Sequence, residues 1–267
     1  MIRSLTPKDA EACMALAERV GWPKEREKWQ LLFEQGPGFG VSAEDGALRA
    51  MVMLPEFVEL RFVAMMVVSP SDQGQGLGRV LLEHALAKTQ GVVALYATEA
   101  GRPLYERLGF VEQGGVVRYI GVLDGEAAAL PPDPKETWNE DSILGADRAA
   151  FGYDRASLLR TLLARGQGVF TDDAGGFVLS WWNGAVTVLG PVVAQDEAHA
   201  IALVDRALAN ARGPVRIDVD VRFLALGRHV VARGLSDRGF APLMVRGAAG
   251  LRGARERYFA IALQAFG

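Results

Sequence analysis

The chain has 267 residues and half of them are hydrophobic, enough for one large or two modest packed domains, which excludes a largely disordered protein. A net charge of −3 with acids and bases interspersed leaves no basic field for nucleic acid, and no apolar run is long enough to span a bilayer. The one cysteine, Cys13, excludes an intrachain disulfide; His84, His199 and His229 lack metal-ligand spacing, so no metal is expected, and no Gly-x-Ser-x-Gly elbow supports a serine hydrolase. The first ten residues include Asp9 and lack the apolar core of a secretory signal, which points to the cytoplasm.

In chain order, Ile2 to Leu5 alternates as a short strand. Thr6-Pro7-Lys8-Asp9 supplies an N-cap, a proline at the first helical position and an early acid for a helix to Val20. Gly21-Trp22-Pro23 breaks it, and Lys24 to Glu34 resumes helically with Trp29, Leu32 and Phe33 on one side. Phe39 to Ser42 and Ala47 to Leu54 flank Glu44-Asp45-Gly46 as a hairpin. After Pro55, one long strand is expected from Phe57 to Val68, followed by Gln73-Gly74-Gln75-Gly76-Leu77-Gly78-Arg79 and a helix with Val80, Leu81, Leu82, Ala85 and Leu86 in its stripe. Val92 to Ala97 reads as a buried strand, and Leu104 to Leu108 as a short helix stopped by Gly109 before another strand at Phe110.

Three glycines at every second position between a strand and a helix can present several unpaired backbone N–H groups at one point, an anion cradle. The dinucleotide fingerprint fails in both registers, because Arg79 or Leu81 stands where a glycine is required, and no Gly-Lys-Ser/Thr ends the loop. The plain alternative is a glycine-rich turn leading into a helix. The pattern Gln/Arg-x-x-Gly-x-Gly/Ala, filled by Gln73, Gly76 and Gly78, resembles the acetyl-coenzyme A pyrophosphate loop of the GNAT N-acetyltransferase superfamily. Tyr105-Glu106-Arg107-Leu108-Gly109-Phe110 is similar to its second signature, in the right structural slot. The resemblance implies a mixed α/β fold and acetyl-CoA as co-substrate.

Leu130-Pro131-Pro132-Asp133-Pro134 can be neither regular helix nor central strand, so a linker is expected there, with domains at 1–130 and 131–267. The second part can be laid over the first: a helix over Ser157 to Ala164, strands at Gly168 to Asp172, Phe177 to Trp182 and Ala185 to Leu189, then Gly190-Pro191 before a helix reaching about Ala211, a strand from Val215 to Val221, and Gly239-Phe240 in the place of Gly109-Phe110. Gln195 to Ala200 then lies over Gln73 to Gly78, with Asp196 and Glu197 in the loop and alanines for two glycines. Leu235 falls over Tyr105. The second part therefore resembles a degenerate GNAT domain, the alternative being an unrelated α/β domain; Gly190-Pro191, and Trp22 with Trp29, are similar to features of a tandem bacterial group.

The resemblance assigns roles. The backbone N–H of Met66 would polarise the thioester carbonyl where two strands part, Val67 and Val68 would pair with the pantetheine amides, and Gln73 to Arg79 would hold the pyrophosphate. Tyr105 would donate to the leaving thiolate, its plain alternative being a core tyrosine, and Thr98 stands where relatives carry asparagine. Phe62, Trp22 and Trp29 are expected at the acceptor site, between the two domains. The general base is open: Phe62 occupies the place where relatives often carry glutamate, and Glu59 is nearby. Asp218 and Asp220 share a strand face and read as solvated edge charge, whereas one of Trp181 and Trp182 is expected in the core. Two functions follow: an N-acetyltransferase acting on a small-molecule amine in a ternary complex, as a monomer or homodimer, or a non-catalytic acyl-CoA sensor on the same fold.

Overall fold

The computed structural model describes residues 1–44, 46–123 and 138–267; the Pro-rich linker expected at 130–134, and Asp45 of the expected hairpin turn, lie outside them. The chain opens with β1 (Ile2–Leu5), a single 3-10 turn and α1 (Ala10–Arg19). Asp9 fixes that start, its carboxylate accepting from the Thr6 N–H at 2.8 Å and from Arg3 at 2.7 Å. Next come α2 (Arg26–Gln35), β2 (Gly38–Ser42) and β3 (Leu48–Met53). β2 and β3 pair antiparallel, and β1 adds to β2.

The single strand expected from Phe57 to Val68 is three: β4 (Glu56–Phe57), β5 (Leu60–Phe62) and β6 (Ala64–Val68). Glu59 adopts a φ of 63°, which turns β4 tightly onto β5, and Met65 at 50° redirects the chain after β5. β5 runs parallel to β7 (Val92–Tyr96), whereas β6 pairs with β3. One apolar run thus serves two sheets. Between β6 and β7 lies α3 (Leu77–Leu86); after β7 come α4 (Arg102–Arg107) and β8 (Val111–Leu123).

The second part contains α5 (Glu140–Phe151), which the sequence reading missed, then α6 (Ala156–Arg165), β9 (Gly168–Thr171), β10 (Phe177–Trp182) and β11 (Thr187–Val193). α7 (Glu197–Asn210), β12 (Gly213–Asp220), α8 (Leu224–Ala232), β13 (Ser236–Arg246) and β14 (Tyr258–Ala260) follow. Gly190-Pro191 precedes α7 as expected but lies inside β11, where the pairing to β10 shifts register between Val178 and Ser180. Such a bulge is where a strand accepts a proline, which has no N–H to offer the ladder.

The four-stranded sheet runs β1-β2-β3-β6, and the ten-stranded sheet β4-β5-β7-β13-β8-β12-β14-β11-β10-β9. The parts expected at 1–130 and 131–267 are therefore interleaved in space. β13 inserts antiparallel between β7 and β8, and β8 pairs along its length with β12, from Val116↔Asp220 to Leu123↔Gly213. Each part donates one strand to the other. This overturns the reading of Asp218 and Asp220 as solvated edge charge: β8 covers what would otherwise be an edge, and both are buried. Trp181 is core and Trp182 partly exposed, one indole on each face.

Candidate active site

The glycine loop is braced before it reaches the helix. Ser69 donates its N–H to the Arg49 carbonyl at 2.7 Å, the Arg49 Nε donates to Asp72 at 2.8 Å, and the Gln73 amide donates back to the Val68 carbonyl at 3.1 Å. Gly74 and Gly76 then take φ values of 76° and 78°, and a Cβ on either would meet nothing within 4 Å. They are glycine for backbone conformation. Gly78 is glycine for proximity, because a Cβ there would lie 3.2 Å from Val68 and 3.4 Å from Met66. No side chain caps α3, so its first N–H groups are left without a side-chain acceptor. The Gln75 amide turns back to the Ser71 carbonyl, and Arg79 pairs with Glu83 on the exposed helix face.

Beside the loop, the two sheets part. β5 stays in register with β7 as far as Phe62↔Ala94, and the Val63 N–H still reaches the Ala94 carbonyl at 2.9 Å. Beyond that point β6 follows β3, and its other edge has no strand partner among the described residues. Val67 and Val68 lie on this diverging strand, and Met65 and Met66 line a cavity of about 280 Å³ that opens in the gap.

Both parts of the chain build that cavity. Trp22, Glu25, Lys28, Thr98, Tyr105 and Arg118 come from the first; Val186, Arg216 and the tail residues Leu263 and Gln264 come from the second. Two expected wall residues are absent. Trp29 and Phe62 are fully buried in the core, Trp29 because it sits on the inner face of α2 and Phe62 because β5 turns it into a stack with Tyr96 at 6.3 Å. Glu59, at the β4–β5 turn, is exposed and paired with Arg252 at 2.8 Å, away from the cavity. Thr98 lines the cavity and also accepts the Gly101 N–H at 3.2 Å, so it braces the turn into α4.

Tyr105 is held edge-on to Phe110 with ring centroids 5.9 Å apart. Burial pushes the pKa of its hydroxyl up to about 12. It therefore stays protonated throughout the neutral range, as a donor.

Sequence reasoning missed the polar part of the wall. Glu25 is held by Lys28 and by the Asn183 amide, 2.7 Å away, so this pair bridges the two parts. Burial, with the Arg216 and Arg118 guanidinium groups nearby, pulls the Lys28 ammonium down to about 7. Arg216 grips Asp218 through two nitrogens at 3.0 and 2.6 Å, and Arg118 donates to Gln264 at 3.2 Å. The i, i+3 spacing of Glu25 and Lys28 was visible in the sequence; the pairing with Asn183 was not.

The matching place in the second part is built differently. Asp196 caps α7 by accepting the His199 N–H at 3.0 Å, and Glu197 accepts the Leu226 N–H at 2.8 Å. A carboxylate of the chain itself, that of Asp196, fills the position that α3 leaves open, while that of Glu197 turns to the first turn of α8. Among the described residues there is no group of three or more His, Cys, Asp or Glu that could hold a metal, and no helix long and apolar enough to cross a membrane.

Comparison with known proteins adds the family. Residues 36–112 and residues 143–260 each match an acetyltransferase (GNAT) domain family. The uncharacterized N-acetyltransferase YitH of Bacillus subtilis is 29% identical over 250 residues, covering 86% of each chain. A crystal structure of a candidate acetyltransferase from Pyrococcus horikoshii superposes with a TM-score of 0.80 at 22% identity, covering 100% of this chain and 95% of that one. A GCN5-related N-acetyltransferase from Sphaerobacter thermophilus gives 0.66 at 18% identity, over 92% and 95%. At these identities the two structures speak for the fold.

Proposed function

The chain belongs to the GNAT acetyltransferase family, with two such domains in tandem, and from that premise we propose that it moves the acetyl group of acetyl-CoA to a primary amine of a small molecule within a ternary complex. The observation that carries this reading is the buried Tyr105 on the wall of a cavity that begins where β6 parts from the β5–β7 pair, next to an uncapped helix start. The pyrophosphate would lie over Gln73 to Arg79, with the space beside Gly74 and Gly76 left open for close backbone approach. The pantetheine amides would pair with the free edge of β6 at Val67 and Val68, and the Met66 N–H would hold the carbonyl oxygen as it gains charge.

Attack by the amine nitrogen forms the new C–N bond, and collapse of the tetrahedral intermediate breaks the C–S bond. A phenol near 12 is a weak acid toward a thiolate whose thiol titrates near about 8.5, so full proton transfer is uphill by about 5 kcal/mol. Tyr105 therefore serves chiefly as a hydrogen-bond donor to the sulfur as negative charge builds there. The Glu25–Lys28 pair, with Lys28 near 7, is the titratable pair on the wall through which the amine proton can leave.

On this reading the 131–267 part binds no cofactor, because the Asp196 carboxylate occupies its helix start and Glu197 adds a second negative charge there, and it closes the acceptor side instead. The cytoplasm is the compartment proposed. Calorimetry with acetyl-CoA, followed by thiol release across a panel of amines, tests this. One equivalent per chain with turnover is expected; two equivalents would remove the division of labour, and binding without turnover on any amine would leave an acyl-CoA sensor.

A further inference from the structure

Resting on that acceptor reading, we propose that the acceptor amine also carries a carboxylate, received in the cavity by Arg118 and Gln264 with Arg216 beside them. Arg118 comes from β8 and Arg216 from β12; Arg118 faces Asp218 in the ladder and Ile120 faces Arg216, so the two guanidinium groups share one sheet face, one diagonal step apart. The strand exchange between the two parts creates this pairing of cations.

Their surroundings differ in one respect. Arg216 is satisfied by Asp218. Arg118 has no carboxylate within ion-pair distance among the described residues; its side-chain partner is the Gln264 amide oxygen, and its Nε is buried without a partner. Gln264, having turned its oxygen to Arg118, leaves its own amide nitrogen buried and unpartnered. Both unused atoms are donors. Apart from the Glu25–Lys28 pair, two guanidinium groups stand against the one carboxylate of Asp218.

Buried donors without acceptors are rare and unfavourable, so an acceptor is missing, and the surplus of guanidinium charge favours one that is negative. Burial and the neighbouring Arg216 also lower the Arg118 guanidinium below its ordinary value, and Asp218, already gripped by Arg216, offsets them only in part. A planar carboxylate matches donors presented by a flat guanidinium and a flat amide, and the volume of about 280 Å³ is suited to a compact amino acid.

The test uses the full chain with acetyl-CoA and amines matched at one group: glycine and glycinamide, β-alanine and its carboxamide, and phosphoethanolamine as the phosphate counterpart of β-alanine. Thiol release gives kcat/KM, and calorimetry in the presence of CoA gives binding. The carboxylates are expected to exceed their amides by about tenfold or more, as for hydrogen bonds to a charged group. Arg118→Gln should bring the ratio toward one with acetyl-CoA affinity unchanged, and Arg118→Lys should keep part of it. Gln264→Glu, which keeps the cation but places a carboxylate beside it, should erase the preference even if Arg118→Gln does not fold. Equal use of both members of each pair, preference for the amides, preference for phosphoethanolamine, or no carboxylated amine bound or acetylated would each overturn the inference. Acetyl-CoA failing to bind would instead overturn the transferase reading, and a carboxylated amine bound in preference to its amide without thiol release would keep the inference while that reading fell.

Discussion

A Cβ on Gly78 would stand 3.2 Å from the Val68 Cγ2, so α3 rests on β6 at a separation that leaves little room for any side chain there. The loop between them is thereby drawn against the strand that would carry the pantetheine. Gly78→Val is expected to push the helix outward, lowering stability by about 1–3 kcal/mol and weakening acetyl-CoA binding in calorimetry. Gly76→Asp adds a carboxylate at the open helix start in a backbone conformation that side chains avoid, and binding should be lost. Unchanged affinity in both variants would move the cofactor away from this loop.

Tyr105→Phe keeps the ring against Phe110 and removes the hydroxyl alone. Turnover should fall roughly ten- to a thousand-fold with acetyl-CoA affinity preserved, the range for losing a donor to developing charge. Wild-type turnover with chemistry shown to be rate-limiting would return Tyr105 to a packing role.

Lys28 makes a pH prediction with a definite sign. Its ordinary value of 10.5 falls to about 7 in the folded chain, so between those values the unfolded chain holds a proton that the folded chain does not. Stability contributed at this site should rise with pH across that window, by up to about 1.4 kcal/mol per pH unit, and be flat below it. Denaturant titrations between pH 7.5 and 9.5 should show wild type gaining on Lys28→Met. A flat difference would mean that Glu25 holds the ammonium charged.

Arg155 pins the tail that carries Gln264. It donates to Asp147 at 2.9 and 2.7 Å, to the Tyr258 hydroxyl at 2.6 Å and to the main-chain oxygens of Phe266 and Gly267, with its guanidinium 3.8 Å from the centre of the Phe151 ring. Arg155→Met leaves Asp147 buried without its partner, which should cost about 3–5 kcal/mol. Adding Asp147→Leu should restore part of the stability but not the activity, because the tail stays unpinned. Thermal melts and turnover read the two effects separately.

Much of the first part was legible because its signals are local: the Thr6 to Asp9 cap, the stripe of α3, and the glycines whose positive φ and close approach leave a direct mark on residue choice. Phe57 to Val68 misled because an apolar run does not report which sheet each half joins; the turn rests on Glu59 and Met65, neither a residue that favours positive φ. Trp29 and Phe62 were expected at the wall, since an aromatic residue looks alike in a core and in a pocket. Asp218, Arg216 and Arg118 were out of reach for a further reason. Their meaning depends on β8 lying beside β12, a pairing between distant segments that no periodicity encodes.

The same pairing predicts the behaviour of fragments. Without β13, β7 and β8 lose the strand between them, and a 1–130 fragment would expose long unpaired edges. It should fail to melt cooperatively alone and regain both cooperative unfolding and turnover when expressed together with 131–267. A well-folded, fully active 1–130 fragment would refute this.

Interleaving also sets an order of events during synthesis. A ribosome making this chain delivers the glycine loop and Tyr105 well before residues 236–246, so the strand that closes β7 against β8 arrives more than a hundred residues after the groups it stabilises. The nascent chain must hold its first part in an unfinished state until then. Ribosome-bound chains stalled before residue 236 should remain open to protease around β7 and β8, and those stalled once β13 has cleared the exit tunnel should not. On the proposed function, activity is expected only after residues 236–246 have emerged and β13 has docked.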